Sequence, residues 1–390
     1  MQQMKGWKFI LALVAIFLIS INLRPSITSV GPLLNTIGED LQISNTKMSL
    51  LTSIPVFCMG LFAPLAVQFQ KRMGYRMAIF FFVTLIGIAT FARLFFTSYA
   101  SLLVTCFVLG FAIAIISPMI NAFIKEKFPE QLALVIGLYS LAIGAGATIS
   151  AGFSGIFYER FNSWSFALGI WGVLAIVAMI IWLIAIDKDK TVNDVTVTDE
   201  AARNPWKTKT AWLLLFYFGL QTSLFFSLTT WLSPIAMDEG FSLLTAGSIL
   251  TTMSIVQLVS NIFISMLIQR YPNRIAWLYG LLAIGALGVA LLFFEAAWAT
   301  WTGAIILGIT LSGLFPIGLI LPLDEAKNKR EANEWSAMVL SGGFMMGAIT
   351  PLLIGIVYDM TGTHFYTKVI YALLFIALFI SVYLIQRNRK

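Results

Sequence analysis

Asn22, Arg24 and Pro25 stand together in ISINLRPSITSVGP (19–32), inside the first long apolar run of the chain. A guanidinium can hold two oxygens of an anion at once and stays charged at any working pH, so the chemistry on offer is capture of an anionic or strongly polar solute. Pro25 cannot donate to Ile21, which frees a carbonyl at the same depth. Counted along a helix starting near residue 8 at ~1.5 Å per residue, Arg24 lies roughly 24 Å in, slightly past the middle of a bilayer. A charge there costs at least about 2.5 kcal/mol unless water, an acceptor or a ligand meets it. No Asp or Glu lies near the middle of any apolar run to serve as that partner. The alternative is an arginine held by helix carbonyls and water as a packing element.

The elements that must position Arg24 are membrane helices. Apolar residues make up 59% of 390 positions, charged ones 11%, and mean hydropathy is +0.89. Roughly 20 apolar residues cross about 30 Å of hydrocarbon as a helix. Apolar runs fall at 8–33, 47–68, 77–96, 101–124, 132–157, 165–186, 211–233, 243–268, 275–294, 300–322, 336–357 and 366–385. They predict an all-α integral membrane protein of twelve spans, and no alternating ten-residue pattern suggests a β-barrel. The opening residues carry no small-residue cleavage site, so the first run is read as a retained span.

Charge orients the spans. Of the 25 Lys and Arg residues, only Lys47, Arg93, Arg160 and Lys368 fall on the side opposite the termini, and Arg24 is the one assigned to the membrane interior. The other twenty share the side of the termini, which the positive-inside rule makes cytoplasmic. The net charge of +7 then reflects topology, and a nucleic-acid partner is not implied. The polar stretch 187–210 reads as a cytoplasmic linker between a six-helix bundle over 1–186 and a second over 211–390.

The two bundles repeat. QKRMGYRMA (70–78) matches IQRYPNRIA (268–276) at an offset of 198, placing Arg72 on Arg270 and Arg76 on Arg274. The same offset puts Ser44 on Ser242 and Ser117-Pro118 on Phe315-Pro316, while GIFYE (155–159) meets GIVYD (355–359) at 200. Arg24 then corresponds to Thr222, or to Phe226 if Pro32 is aligned with Pro234. Across the pseudo-symmetry axis, Tyr217, Gln221 and Thr222 offer neutral substrate contacts or interhelical hydrogen bonds, with Tyr139 and Gln257 as further mid-span candidates. Asn121 lies nearer the cytoplasmic end and is assigned to a gate.

NLRPSITSVGPLL, ISPMINAFIKEKFP, GLQTSLFFSLTTWLSPIAMDEGFS and GAITPLLIGIVYDMTG resemble the cyanate-porter family of the major facilitator superfamily, whose members include cyanate and 2-nitroimidazole transporters. The resemblance implies two pseudo-symmetric six-helix bundles, a substrate near midplane between them, and alternating access. It also implies a rocking role for the loop bearing Lys71, Arg72, Gly74 and Arg76, echoed by Arg270 and Arg274. The general pattern of that loop has an acid where Lys71 stands, so its charge relay does not carry over. The family's usual glutamine-bearing run is SGGFMMGA (341–348) here.

Cys58 and Cys106 have no metal-ligand spacing, and His364 stands alone, so no metal or other cofactor is expected. No nucleophile-base pair or phosphate-cradling loop points to an enzyme. The expectation is a monomeric carrier in the cell membrane, bathed in lipid, moving a small anionic or polar organic solute of the cyanate, nitrate or nitroheterocycle class. Without a mid-span carboxylate, uniport or exchange fits better than proton symport. A drug-type exporter of neutral aromatic compounds is the rival reading; a channel or receptor lacks a pore-forming or sensory element.

Overall fold

The structure, a computed structural model, describes residues 6–186, 203–271, 273–294 and 296–389; most of the expected linker lies outside them. The described residues are all-helical. The first half contains α1 (Trp7–Ile21), α2 (Pro25–Thr28), α3 (Leu34–Leu41), α4 (Asn45–Phe62), α5 (Ala66–Phe95), α6 (Tyr99–Lys127), α7 (Leu132–Phe161), α8 (Trp164–Gly169) and α9 (Gly172–Ala185). The second contains α10 (Lys209–Asp238), α11 (Leu243–Arg270), α12 (Arg274–Leu291), α13 (Ala297–Glu325), α14 (Lys329–Gly347), α15 (Ile349–Thr361) and α16 (Phe365–Arg389). Among the described residues, eleven helical runs are long and apolar enough to cross a membrane. One of them, Asn45–Phe95, has 51 residues and breaks at Gly74, whose φ of 72° lies in the left-handed region that favours glycine.

The repeat read from side chains is written again in the backbone. Gln42 (φ 51°) and Gly240 (φ 90°) both turn the chain left-handed, and two residues later Ser44 and Ser242 cap α4 and α11 by accepting from Lys47 and Thr245 amides. At the offset of 200, Asn162 (φ 49°) and Gly362 (φ 67°) close α7 and α15. Pro118 and Pro316 lie within α6 and α13.

Four predicted spans are interrupted helices: 47–68 passes from α4 to α5 through a 3-10 turn at Ala63–Leu65, 165–186 divides into α8 and α9, 336–357 parts between Gly347 and Ile349, and 8–33 breaks most fully. After α1 the amides of Asn22 and Leu23 reach back only three residues, to Ile19 and Ser20, and Pro25 starts α2. The freed groups are repaired by side chains and by close packing. Asn22 Nδ2 donates to the Leu18 carbonyl at 2.6 Å and to Leu174 of α9 at 3.2 Å. The Ile21 carbonyl is covered by Gly146 of α7, where an added Cβ would stand 2.3 Å from the oxygen. Thr28 bonds Ser150 of α7 at 2.6 Å.

Arg93, assigned by charge to the side opposite the termini, is not a free loop cation: it is 1% exposed among α5, α6 and the broken segment. Its guanidinium donates to the Ser26 carbonyl at 2.8 Å, Thr105 Oγ1 at 3.1 Å and Cys106 Sγ at 3.2 Å.

Gly146→Ala drives a methyl into a backbone oxygen that cannot turn aside, an overpacking cost of about 1–3 kcal/mol. A thermal melt in detergent should show a clear loss of Tm for Gly146→Ala and none for Gly137→Ala, whose added Cβ meets nothing within 4 Å. Equal melting of the two variants would contradict the close approach of α7 to α1.

Candidate functional site

Arg24 is half-buried at the N-terminus of α2, with its Cζ 5.6 Å from the Phe225 ring centroid and 5.4 Å from that of Phe226 on α10. The side chain therefore spans the seam between the halves. Aromatic faces contribute ~0.5–2 kcal/mol to a cation but supply no acceptor for its N–H groups. Nη1 is buried without a hydrogen-bond partner, which leaves a charged donor unsatisfied at a cost above that of a neutral one. Tyr139 of α7 interacts electrostatically with Arg24 and by side-chain hydrogen bonding with Ser117 and Asn121 of α6. Phe344 of α14 backs the aromatic wall, 6.4 Å from Phe226 and 5.8 Å from Phe218.

The other residues singled out from sequence divide. Gln221 Nε2 donates to Thr222 Oγ1 at 2.8 Å, and Gln221 Oε1 is buried without a partner. Thr222 presses its methyl against Gly347 of α14. Gln257 is half-buried on α11, one residue before Leu258, which covers Gly144 of α7. Tyr217 is not brought to the seam: its hydroxyl donates to the Leu314 carbonyl at 2.9 Å, wholly inside the second half. Asn22 has its amide N–H groups committed to repairing the helix break. Phe225, Phe226 and Ser117 are the neighbours of Arg24 and Tyr139 that sequence reasoning missed; the alignment of Pro32 with Pro234 was the one signal for Phe226.

The halves are joined at the end of the bundle away from the termini, here the far end. The Asp359 carboxylate of α15 caps α4 across the seam, accepting from the Asn45 amide at 2.8 Å and side chain at 3.0 Å, and from the Thr46 amide at 2.8 Å and hydroxyl at 2.6 Å. A carboxylate at a helix N-terminus gains from both the free amides and the dipole. Thr230 bonds Thr52 at 3.1 Å, and Gly31 packs on the Thr229 carbonyl. One apolar core runs without interruption from the second half into Leu33, Leu34, Leu51 and Leu102 of the first.

Towards the near end Ser341 of α14 donates to the Gly60 carbonyl of α4 across the seam, and Asn121, Ile136 and Phe263 are exposed. The residues assigned to gating hold to their own halves. Arg76 donates to the Leu183 carbonyl at 2.8 Å, and Arg274 donates to Ile268 and lies 3.5 Å from Asp324. Lys71 and Arg72 are exposed, and Arg270 lies over Tyr271 at 5.7 Å.

His364, between α15 and α16, lies buried against Tyr358 (4.3 Å) and Trp231 (5.5 Å) and bonds Thr367 at 3.0 Å. Asp238 is 3.9 Å away, close enough to suggest an ion pair. Burial and the nearby Lys368 instead push the imidazole down to about 3, so it is neutral and the contact is no salt bridge. No group of His, Cys, Asp and Glu suited to a metal occurs among the described residues.

A family model described as Major Facilitator Superfamily matches residues 9–333 and 233–390. The chain is 29% identical over 351 residues to the uncharacterized transporter YycB of Bacillus subtilis (strain 168), covering 89% of this chain and 86% of that protein. It is 27% identical over 368 residues to the cyanate transport protein CynX of Escherichia coli (strain K12), covering 94% and 95%, and 25% identical over 370 residues to the 2-nitroimidazole transporter of the same organism, covering 92% and 91%. Among solved structures, a bacterial homolog of the human lysosomal transporter Spinster, inward-facing and unoccupied, superimposes with a TM-score of 0.75 at 16% identity over 98% of this chain and 95% of that one. A mutant of the nucleoside transporter NupG gives 0.77 at 11% over 97% and 100%.

Two measurements probe the far end. In a cysteine-free background, Thr230→Cys should label slowly with a maleimide, and Asp359→Ala should raise that rate by about tenfold, as ~1.4 kcal/mol lost from a helix cap would do. No change in labelling would remove Asp359 from the seal. For His364, protons bind the unfolded chain below its ordinary value of 6.5 but are refused by the folded one down to about 3. Its contribution is complete above 6.5 and is lost as pH falls through that window. Melting curves should therefore decline on acidification from 6.5 in the parent, and more shallowly in His364→Gln.

Proposed function

The chain belongs to the Major Facilitator Superfamily, and from that premise we propose a carrier that moves a small anionic or polar organic solute past Arg24 by alternating access. The observation that carries this reading is the orphaned Nη1 of a guanidinium set between two phenylalanine rings at the seam of the halves. A flat anion or a nitro group offers oxygens to the guanidinium while its π-face lies on Phe225 or Phe226. 2-Nitroimidazole, named for one relative, is of this kind, and cyanate, named for another, is a linear anion with an oxygen and a nitrogen end to offer the guanidinium. Gln221 Oε1 and the hydroxyl of Tyr139 supply the neutral contacts.

In this reading the run Asn45–Phe95 counts as two passes, which makes twelve spans in two six-helix bundles joined by the 187–210 linker, with both termini cytoplasmic. The far-end seal then faces outward. Lys71, Arg72, Gly74, Arg76, Asn121, Arg270 and Arg274 stand where the near end must close in the opposite state. The carrier works as a monomer in the cell membrane without a cofactor. Export of neutral aromatic compounds is a second reading, favoured by the wall of Phe225, Phe226 and Phe344.

Arg24→Ala separates the two. Loss of charge-assisted hydrogen bonds worth ~2 kcal/mol weakens anion binding about thirtyfold, while binding of a neutral aromatic compound is spared. Counterflow in proteoliposomes should run with substrate on both sides and should not need a pH gradient. Strong proton-driven accumulation of a solute that carries no proton itself would refute exchange or uniport.

A further inference from the structure

We infer that Arg93 is a positioning residue for the anion site: it holds the broken segment that presents Arg24 and brings a second fixed positive charge to that segment. The inference rests on Arg24 being the anion contact. The end of α2 at Thr28 leaves the Ser26 carbonyl without its helical donor, since the Val30 amide turns to Ile27 at 3.3 Å. Arg93 Nη1 takes that carbonyl at 2.8 Å, two residues from Arg24. The remaining donors are fixed from α6, Nε on Thr105 Oγ1 and Nη2 on Cys106 Sγ, and Cys106 in turn donates to the Leu51 carbonyl of α4 at 3.2 Å.

Arg93 is thus a bracket between four elements, one of its contacts being the carbonyl beside the site. An arginine in a bilayer pairs with a carboxylate or with backbone carbonyls, and only the first cancels its charge. Among the described residues no carboxylate lies within salt-bridge distance of Arg93 or of Arg24, the ion pairs present being elsewhere. The first half therefore keeps two uncompensated guanidinium groups tied to one four-residue helix, and a low-dielectric surround makes their field favour an anion over a neutral solute. Three hydrogen bonds to neutral acceptors give each nitrogen of Arg93 a partner without cancelling its charge, whereas Nη1 of Arg24 has none. One guanidinium binds and the other aims.

The test compares the parent with Arg93→Met, Arg93→Lys, Thr105→Val and Arg24→Ala, reading thermal stability and the Kd of each folded protein for cyanate, nitrate and neutral 2-nitroimidazole. Arg93→Met should weaken the anions by tenfold or more and the neutral compound by less than threefold; Arg93→Lys should restore part of the anion affinity. In transport the change should appear in KM and leave kcat within threefold. A purely structural role would lower Tm and leave anion affinity and charge preference untouched, and that result would overturn the inference. If Arg93→Met does not fold, Arg93→Lys and Thr105→Val decide by the same criterion. If Arg24→Ala binds anions like the parent, or the parent binds none, the Arg24 reading itself has failed and the inference falls with it. If Arg24→Ala loses the anions and no Arg93 or Thr105 variant does, only the role of Arg93 is refuted.

Discussion

A helix inside a bilayer has no water to complete its backbone, so any break in it must be repaired by protein. The break after Ile21 imposes that requirement on most of the first half. Asn22 turns its amide back onto α1 and across to α9, Gly146 brings the backbone of α7 against the Ile21 carbonyl, and Arg93 reaches from α5 to Ser26. Each repair fixes one neighbouring helix relative to the first. The same geometry turns Arg24 out of the helical course and onto the rings of α10, so the local defect and the candidate site have a common origin.

The contacts between halves are of another kind from those within them. Lys368 meets Glu239 at 2.7 Å, Arg203 meets Glu331, and Arg389 meets Glu325 at 2.5 Å, all inside the second half or between it and the end of the linker. Among the described residues no such ion pair crosses the seam. The seam is held by a carboxylate on helix amides, a pair of threonine hydroxyls and close glycine packing, each worth on the order of 1 kcal/mol. In the proposed carrier, bonds of that size are exchanged for water as the far end opens, and the ion pairs tie the second half together internally. Two arrangements a few kcal/mol apart are what alternating access needs.

Much of this was legible in sequence because hydropathy and charge obey the bilayer directly. The repeat was legible too, down to Ser44 and Ser242, because capping and left-handed turns depend on local residue type. What escaped depends on distant partners. Asp359 is one acid at a helix end until it is placed against Asn45, 314 residues away in the chain. Arg93 reads as a loop-side cation because its neighbours Phe95 and Phe96 lead into a turn, and nothing local reveals the cage of Thr105, Cys106 and Ser26. Phe225 and Phe226 were hidden among 32 phenylalanines. The placement of Tyr217 inside the second half was not legible for a related reason: α10 is buried nearly all round, and a helix without a polar face gives no clue to which side meets the seam.

A site built from cations alone also bears on how a carrier of the proposed kind would couple binding to movement. In a state that admits water to the site, water serves the free donor of Arg24, which is buried here. Closing over an empty site strands the guanidinium with only aromatic faces for company, and those return a fraction of the lost solvation. An anion bound at Arg24 removes the penalty by neutralising the charge and occupying its free donor. Occlusion is then cheaper loaded than empty, without any carboxylate to shuttle a proton. The phenylalanines set how strict the coupling is: the more they stabilise the bare cation, the more readily the empty carrier returns, and the nearer its behaviour moves from exchange to uniport.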